Sequence, residues 1–67
     1  KTKIKINGKK YKINPKMTLK EAIAKFKIPL DKVAIELNEN IIDKKKLDKI
    51  KVQNNDKIEI VHFIGGG

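Results

Sequence analysis

Residues 57–67 read Lys57-Ile58-Glu59-Ile60-Val61-His62-Phe63-Ile64-Gly65-Gly66-Gly67. Ile58 and Ile60 alternate with Lys57 and Glu59 as in a half-buried strand, but from Ile60 to Ile64 the alternation fails and apolar residues dominate. Such a run is either a central strand buried on both faces or a strand whose end exposes an apolar patch. Three glycines follow. Folded domains ordinarily end in polar residues that fray without consequence. Here a rigid element is expected to pass into a narrow thread, because glycine lacks a Cβ and reaches backbone regions closed to other residues.

Upstream, Lys3-Ile4-Lys5-Ile6 and Lys9-Lys10-Tyr11-Lys12-Ile13 flank Asn7-Gly8. Asn-Gly between alternating segments is a strong hairpin signal, since a type I′ turn needs positive φ at both central positions. The expected register sets Ile6 against Lys9, Lys5 against Lys10, Ile4 against Tyr11 and Lys3 against Lys12. Ile4, Ile6, Tyr11 and Ile13 then share the core face, and Lys3, Lys5, Lys10 and Lys12 share the other. Opposed lysines are unfavourable in a sheet. They fit either a solvated face that blunts edge aggregation or a docking surface for an acidic partner.

Thr18-Leu19-Lys20-Glu21 fits a capping box, and Leu19, Ala22, Ile23 and Phe26 form one helical stripe. Pro29 is expected to close that helix. Val33-Ala34-Ile35-Glu36-Leu37 reads as a third strand, Asn38-Glu39-Asn40 as a turn, and Ile41-Ile42 as a very short fourth strand. Residues 43–51 suit a 3₁₀ turn carrying Leu47 and Ile50 inward. Asn54-Asn55-Asp56 makes another turn before the last strand, Lys57 to Ile64. The order is ββαβββ, an α+β fold with one main helix on one face of a mixed sheet of four to five strands. The β-grasp arrangement has this order, with first and last strands side by side in the middle. Residues 1–64 are expected to form that domain and residues 65–67 a flexible tail.

Sixty-seven residues make one small domain with a marginal core. No cysteine is present, so neither a disulfide nor a thiolate metal site staples it, and one histidine leaves no convincing zinc site. The net charge is +9, and all 17 basic residues are lysine. Arginine, the usual choice for bidentate phosphate and base contacts, is absent, and the aromatics are only Tyr11, Phe26 and Phe63. A small basic nucleic-acid-binding module is therefore the distant alternative. No apolar run has the length of a membrane span and no signal peptide opens the chain, so a cytoplasmic protein with no membrane partner is expected. The chain opens at Lys1 without a methionine, as in a processed or trimmed N-terminus.

The residues Val33-Ala34-Ile35-Glu36-Leu37-Asn38, Ile41-Ile42 and Asp56 to Gly67 resemble the ThiS-like sulfur carriers of thiamine biosynthesis, in the ubiquitin-like β-grasp superfamily. The likeness covers the whole chain in length and element order, and Ile58 to Gly67 is its specific part. Two positions depart from the family pattern. Asn55-Asp56 stands where Gly-Asp is usual, and asparagine holds the same geometry. Asp43-Lys44 stands where Pro-Arg is frequent, so a contact made by that arginine does not carry over. The resemblance implies a carried substrate rather than an enzyme, with no catalytic residue and no cofactor of its own. A ThiF-like adenylating enzyme, using ATP and Mg²⁺, activates the Gly67 carboxylate. A cysteine desulfurase or another persulfide donor supplies sulfur, and the resulting thiocarboxylate serves a ThiG-like thiazole synthase. Gly65, Gly66 and Gly67 are then the tail that enters partner active sites, and Val61, Phe63 and Ile64 are candidate apolar anchors. Core packing competes for each anchor. His62 reads as a strand residue, not a general base, since no acidic orienter or nucleophile sits at a telling spacing. Alternatives within the fold are a carrier for molybdopterin synthesis or tRNA thiolation, or a protein modifier.

Overall fold

A computed structural model describes residues 1–62. Its strands are β1 (Thr2–Ile6), β2 (Lys9–Ile13), β3 (Val33–Leu37), β4 (Asn40–Ile41) and β5 (Asp56–His62), and its helix is α1 (Leu19–Lys25). Short 3₁₀ turns occupy Leu30–Lys32 and Lys44–Lys49. The strands form one sheet in the order β2-β1-β5-β3-β4, with β1 and β5 parallel at its centre and the other pairings antiparallel. This is the expected β-grasp, α+β arrangement.

The β1–β2 hairpin has the register that the Asn7-Gly8 turn dictates: Ile6 faces Lys9, Lys5 faces Lys10, Ile4 faces Tyr11 and Lys3 faces Lys12. Asn7 and Gly8 both lie at positive φ, 50° and 84°, as a type I′ turn demands. A second two-residue turn, Asn38-Glu39, joins β3 to β4 at φ 51° and 73°. The short fourth strand is Asn40–Ile41 rather than Ile41-Ile42, because this tight turn sets Asn40 directly opposite Leu37. Asn55, the asparagine in the family's usual glycine position, holds φ 71°.

Helix α1 begins at the expected capping box. The Thr18 hydroxyl accepts the Glu21 N–H at 3.1 Å, and the Thr18 N–H donates to the Glu21 carboxylate at 2.8 Å. Pro29 does not close the helix. It ends at Lys25, with Phe26 as its cap and Lys27 in the left-handed region at φ 58°, donating its N–H to Ala24. Pro29 instead caps the first 3₁₀ turn.

The core is a single layer between α1 and one sheet face. Ile4, Ile6, Ile13, Leu19, Ala22, Ile23, Val33, Ile35, Ile58 and Ile60 are buried there, joined by Leu47 from the second 3₁₀ turn and by Val52. Tyr11 is half-buried, its ring 4.7 Å from Phe26 and tilted by 58°. Val52 reaches the core because residues 50–52 run beside the start of the helix: Leu19 N–H donates to Ile50 and Val52 N–H to Met17.

The Glu21 carboxyl is held below its ordinary value, first by the Thr18 backbone N–H and then by the Thr18 hydroxyl. A depressed folded-state pKa contributes stability above the unfolded value that is lost as pH falls through the lower folded one. Glu21→Ala is therefore expected to destabilise the protein at neutral pH, with the difference from wild type vanishing in acid. Thr18→Ala loses the cap bond to the Glu21 N–H, which does not titrate, as well as the hydroxyl's bond to the carboxylate. It costs about 1 kcal/mol at neutral pH and keeps part of that cost in acid. Denaturant unfolding at the two pH values checks the contrast.

Candidate functional site

The strand that leads toward the glycines is the most supported strand of the sheet. β5 pairs with β1 on one side over Ile4–Asp56, Lys5–Lys57 and Ile6–Ile58, and with β3 on the other over five registered pairs. β1 runs out at Ile6, where the chain must turn. Asn7 then continues the ladder with its side chain. Its N–H donates to Ile58 O at 2.9 Å, its Oδ1 accepts the Ile60 N–H at 2.7 Å, and its Nδ2 donates to Ile60 O at 3.2 Å. One asparagine thus satisfies the turn and fixes the last stretch of β5. Its turn role is legible in Asn-Gly, but the contact to Ile60 spans 53 residues and leaves no local signal.

Asn38 does a similar job at the other end. Its N–H donates to Lys57 O, its Oδ1 accepts the Lys57 N–H, and its Nδ2 donates to Asp56. The second carboxylate oxygen of Asp56 accepts the Gln53 N–H at 2.7 Å. The Asn54 side chain accepts the Lys3 N–H, and the Asn55 N–H donates to Lys3 O. Both ends of β5 are therefore clamped by asparagine side chains.

Since α1 covers one face, the other face is open. Lys57, Glu59 and Val61 of β5 point outward, between Lys3 and Lys5 of β1 and Ala34 and Glu36 of β3. Val61 is 50% exposed opposite Ala34, and Ile41, opposite Glu36, is 76% exposed. The last strand is central in the sheet, yet Val61 is surface and not core, because among the described residues no second layer covers this face. His62, opposite Val33, is exposed. Phe63, Ile64, Gly65, Gly66 and Gly67 lie outside the described residues, as does the expected domain boundary at Ile64.

The charges on the open face are sorted. Lys10, Lys5 and Lys57 form one row across three strands, with Lys12 and Lys3 in the next. Glu36 and Glu59 sit opposite each other toward the far edge. Lys57 lies between the two zones, its Nζ 3.0 Å from the Glu39 carboxylate. That bond, the Glu39 charge, and lesser contributions from Glu59 and Glu36 raise the Lys57 pKa. Among the described residues no group of three or more His, Asp or Glu gathers to hold a metal ion.

A model of the ThiS family matches residues 4–67, nearly the whole chain. The chain belongs to the ThiS family. It is 34% identical over 65 residues to the sulfur carrier protein ThiS of Bacillus subtilis, covering 96% of this chain and 98% of that protein. It is also 37% identical over 65 residues to a thiazole synthase of Paramagnetospirillum magneticum, covering 97% of this chain but only 20% of that longer protein. The crystal structure of the thiamine biosynthesis protein ThiS from Geobacter metallireducens superposes with a TM-score of 0.87 at 25% identity, covering 98% of this chain and all of that one. The ThiS resemblance and the ubiquitin-like fold expected from the sequence are both supported, and the match runs through the glycines that end this ThiS-family chain.

Asn7→Gly separates the two roles of Asn7. Glycine keeps the positive φ but removes both side-chain bonds to Ile60. The variant is expected to fold, to lose about 1–2 kcal/mol, and to exchange the Ile60 amide hydrogen faster than wild type. Native-state hydrogen exchange read by NMR checks this.

Proposed function

We propose that this protein is a sulfur carrier for thiazole formation in thiamine biosynthesis, with the carboxylate of Gly67 as the reacting group. The observation that carries the reading is the end-to-end likeness to a protein named as the sulfur carrier ThiS. The thiazole synthases that contain a matching segment favour the thiamine branch over molybdopterin synthesis, tRNA thiolation or protein modification.

On this reading the catalyst lies in other proteins, and the chain works in the cytoplasm. A carboxylate is a poor acceptor of nucleophiles until a good leaving group is attached. A ThiF-like partner using ATP and Mg²⁺ joins a Gly67 carboxylate oxygen to the α-phosphorus and releases pyrophosphate. A persulfide, supplied through a cysteine desulfurase, attacks the activated carbonyl and releases AMP. Reductive cleavage of the resulting acyl disulfide by a thiol leaves the thiocarboxylate, which delivers sulfur to thiazole synthase.

The carrier's part is positioning. Gly65, Gly66 and Gly67 offer a thread without side chains that suits a narrow channel. Ordering such a thread costs about 1–2 kcal/mol per residue, so the folded body must supply binding energy. Val61 is suited to this, half exposed on the strand that leads to the glycines and facing small Ala34. Phe63 and Ile64 extend the same apolar anchor.

Removing Gly66 and Gly67 is expected to leave the melting temperature unchanged while abolishing sulfur loading by the adenylating partner. Calorimetry and a sulfur-transfer assay on the same preparation check both halves. A truncated protein that still accepts sulfur overturns the assignment of Gly67.

A further inference from the structure

A concavity on the open sheet face is lined by Lys3, Lys5, Lys10, Lys12 and Lys57, together with Asn55, Asp56 and parts of Ile4 and Tyr11. Neighbouring strands lie about 4.8 Å apart, so the backbone positions of the Lys10–Lys5–Lys57 row span roughly 10 Å across three strands. Opposed like charges destabilise a sheet, and the pairs Lys3–Lys12 and Lys5–Lys10 are directly opposite. Lysines on an edge strand guard against edge-to-edge aggregation. That accounts for Lys10 and Lys12 on β2. It does not account for Lys3 and Lys5 on the second strand, nor for Lys57 on the central one.

Internal compensation falls short: Asp56, whose oxygens also accept the Gln53 N–H and Asn38 Nδ2, is one carboxylate against five lysines among the lining residues. Lys57 reaches away from the row, to Glu39. Among the described residues, Lys3, Lys5, Lys10 and Lys12 have no ion pair. The concentration of positive charge is thus a standing cost to the fold, of the kind a complementary surface relieves.

We propose that the lysine half of this face docks onto a carboxylate-rich protein surface on the enzyme that activates the tail, a proposal that rests on the carrier reading. Charge complementarity selects that occupant over the others. A nucleic acid would be met without any arginine, and Tyr11, the aromatic beside these lysines in the sequence, turns its ring to Phe26 on the covered side. A second copy turned about a two-fold axis would set five lysines against only Glu36 and Glu59, leaving most of the positive charge unmatched. An anionic membrane would attract one half of the face and repel Glu36 and Glu59 in the other.

The sorted charges also fix orientation. The basic half lies on β2, β1 and the start of β5, while Val61, Ala34 and Ile41 lie with the acids toward β3 and β4. A partner whose acidic rim meets the lysines is held in one register. β5 then runs from Lys57 to His62, about 17 Å at roughly 3.3 Å per residue, and carries the chain away from the rim as far as His62. The lysines steer and orient; the apolar anchor and the glycines do the rest.

The test variant is Lys10→Glu/Lys12→Glu, which places each glutamate opposite a lysine of β1. Its thermal stability is expected to equal or exceed wild type, since two repulsive pairs become attractive ones. Loading of sulfur onto the full chain is followed by intact mass while the adenylating enzyme is titrated. The variant is expected to need about tenfold more enzyme for half-saturation at low ionic strength. Full loading is still reached at excess enzyme, and the gap narrows as salt is added. An unchanged half-saturation point in a folded variant overturns the proposal. Failure of the wild type to load at any enzyme concentration is a different result, and it counts against the carrier reading itself. The face is then tested directly by titrating the isotope-labelled chain with poly-L-glutamate and, separately, with a single-stranded oligothymidylate. Shifts confined to Lys3, Lys5, Lys10, Lys12 and Lys57 with poly-L-glutamate support an acidic protein surface; tighter binding of the oligonucleotide, or no localised shifts, overturns it.

Discussion

One short helix can cover only one face of a five-stranded sheet, and the placement of the candidate functional residues among those described follows from that. The apolar positions of β1, β2, β3 and β5 that face α1 are buried, and Ile35 and Ile58 are fully so. Every alternate position is consequently surface, including those on the central strand. In a larger α/β protein a central strand is covered twice and its surface positions vanish. Here the strand that leads to the glycines keeps a row of its own on the outside: Lys57, Glu59 and Val61. A single-layer core leaves one face of the sheet covered and the other open.

Rigidity at the root of the tail comes from hydrogen bonds rather than from added core. A parallel β1–β5 pairing of three registered residues is short, and β1 ends where its chain must turn. Asparagine side chains extend the pairings of β5, with β1 at one end and with β3 at the other. Asn7 binds the Ile60 peptide, and Asn38 binds Lys57 and Asp56. Each also holds a positive φ that its turn requires. Asparagine is suited to both tasks, since its amide imitates a peptide group and its short side chain tolerates the left-handed region. A body that holds its last strand firmly does not spend binding energy ordering that strand when the tail is engaged.

The hairpin register, the capping box, the β-grasp order and the core residues of the strands were all legible, because each rests on contacts between near neighbours or on strict alternation. The break in alternation after Ile60 was legible as a break but not in its meaning. Central position and double burial are separate properties, and only the count of layers tells Val61 from a core residue. Pro29 was misread because a proline limits a helix from outside, whereas a left-handed Lys27 had already ended it. Val52 and the Asn7–Ile60 contact were not legible, since both depend on segments brought together only by the finished fold. For the candidate site, the last strand and the outward lysines of the hairpin were legible as positions, since both follow from alternation. The sorting of lysines to one half and carboxylates to the other needed the pairing of β5 with both β1 and β3.

The central claim is that this ThiS-family chain is a substrate whose terminal carboxylate is converted to a thiocarboxylate. Its most direct test is the intact mass of the full chain after incubation with a ThiF-like adenylating enzyme, ATP, Mg²⁺ and a persulfide donor with a thiol reductant. The account predicts a mass increase equal to one oxygen replaced by sulfur, located by fragmentation to Gly67. An unchanged mass, with the enzyme shown active on an established carrier, contradicts it.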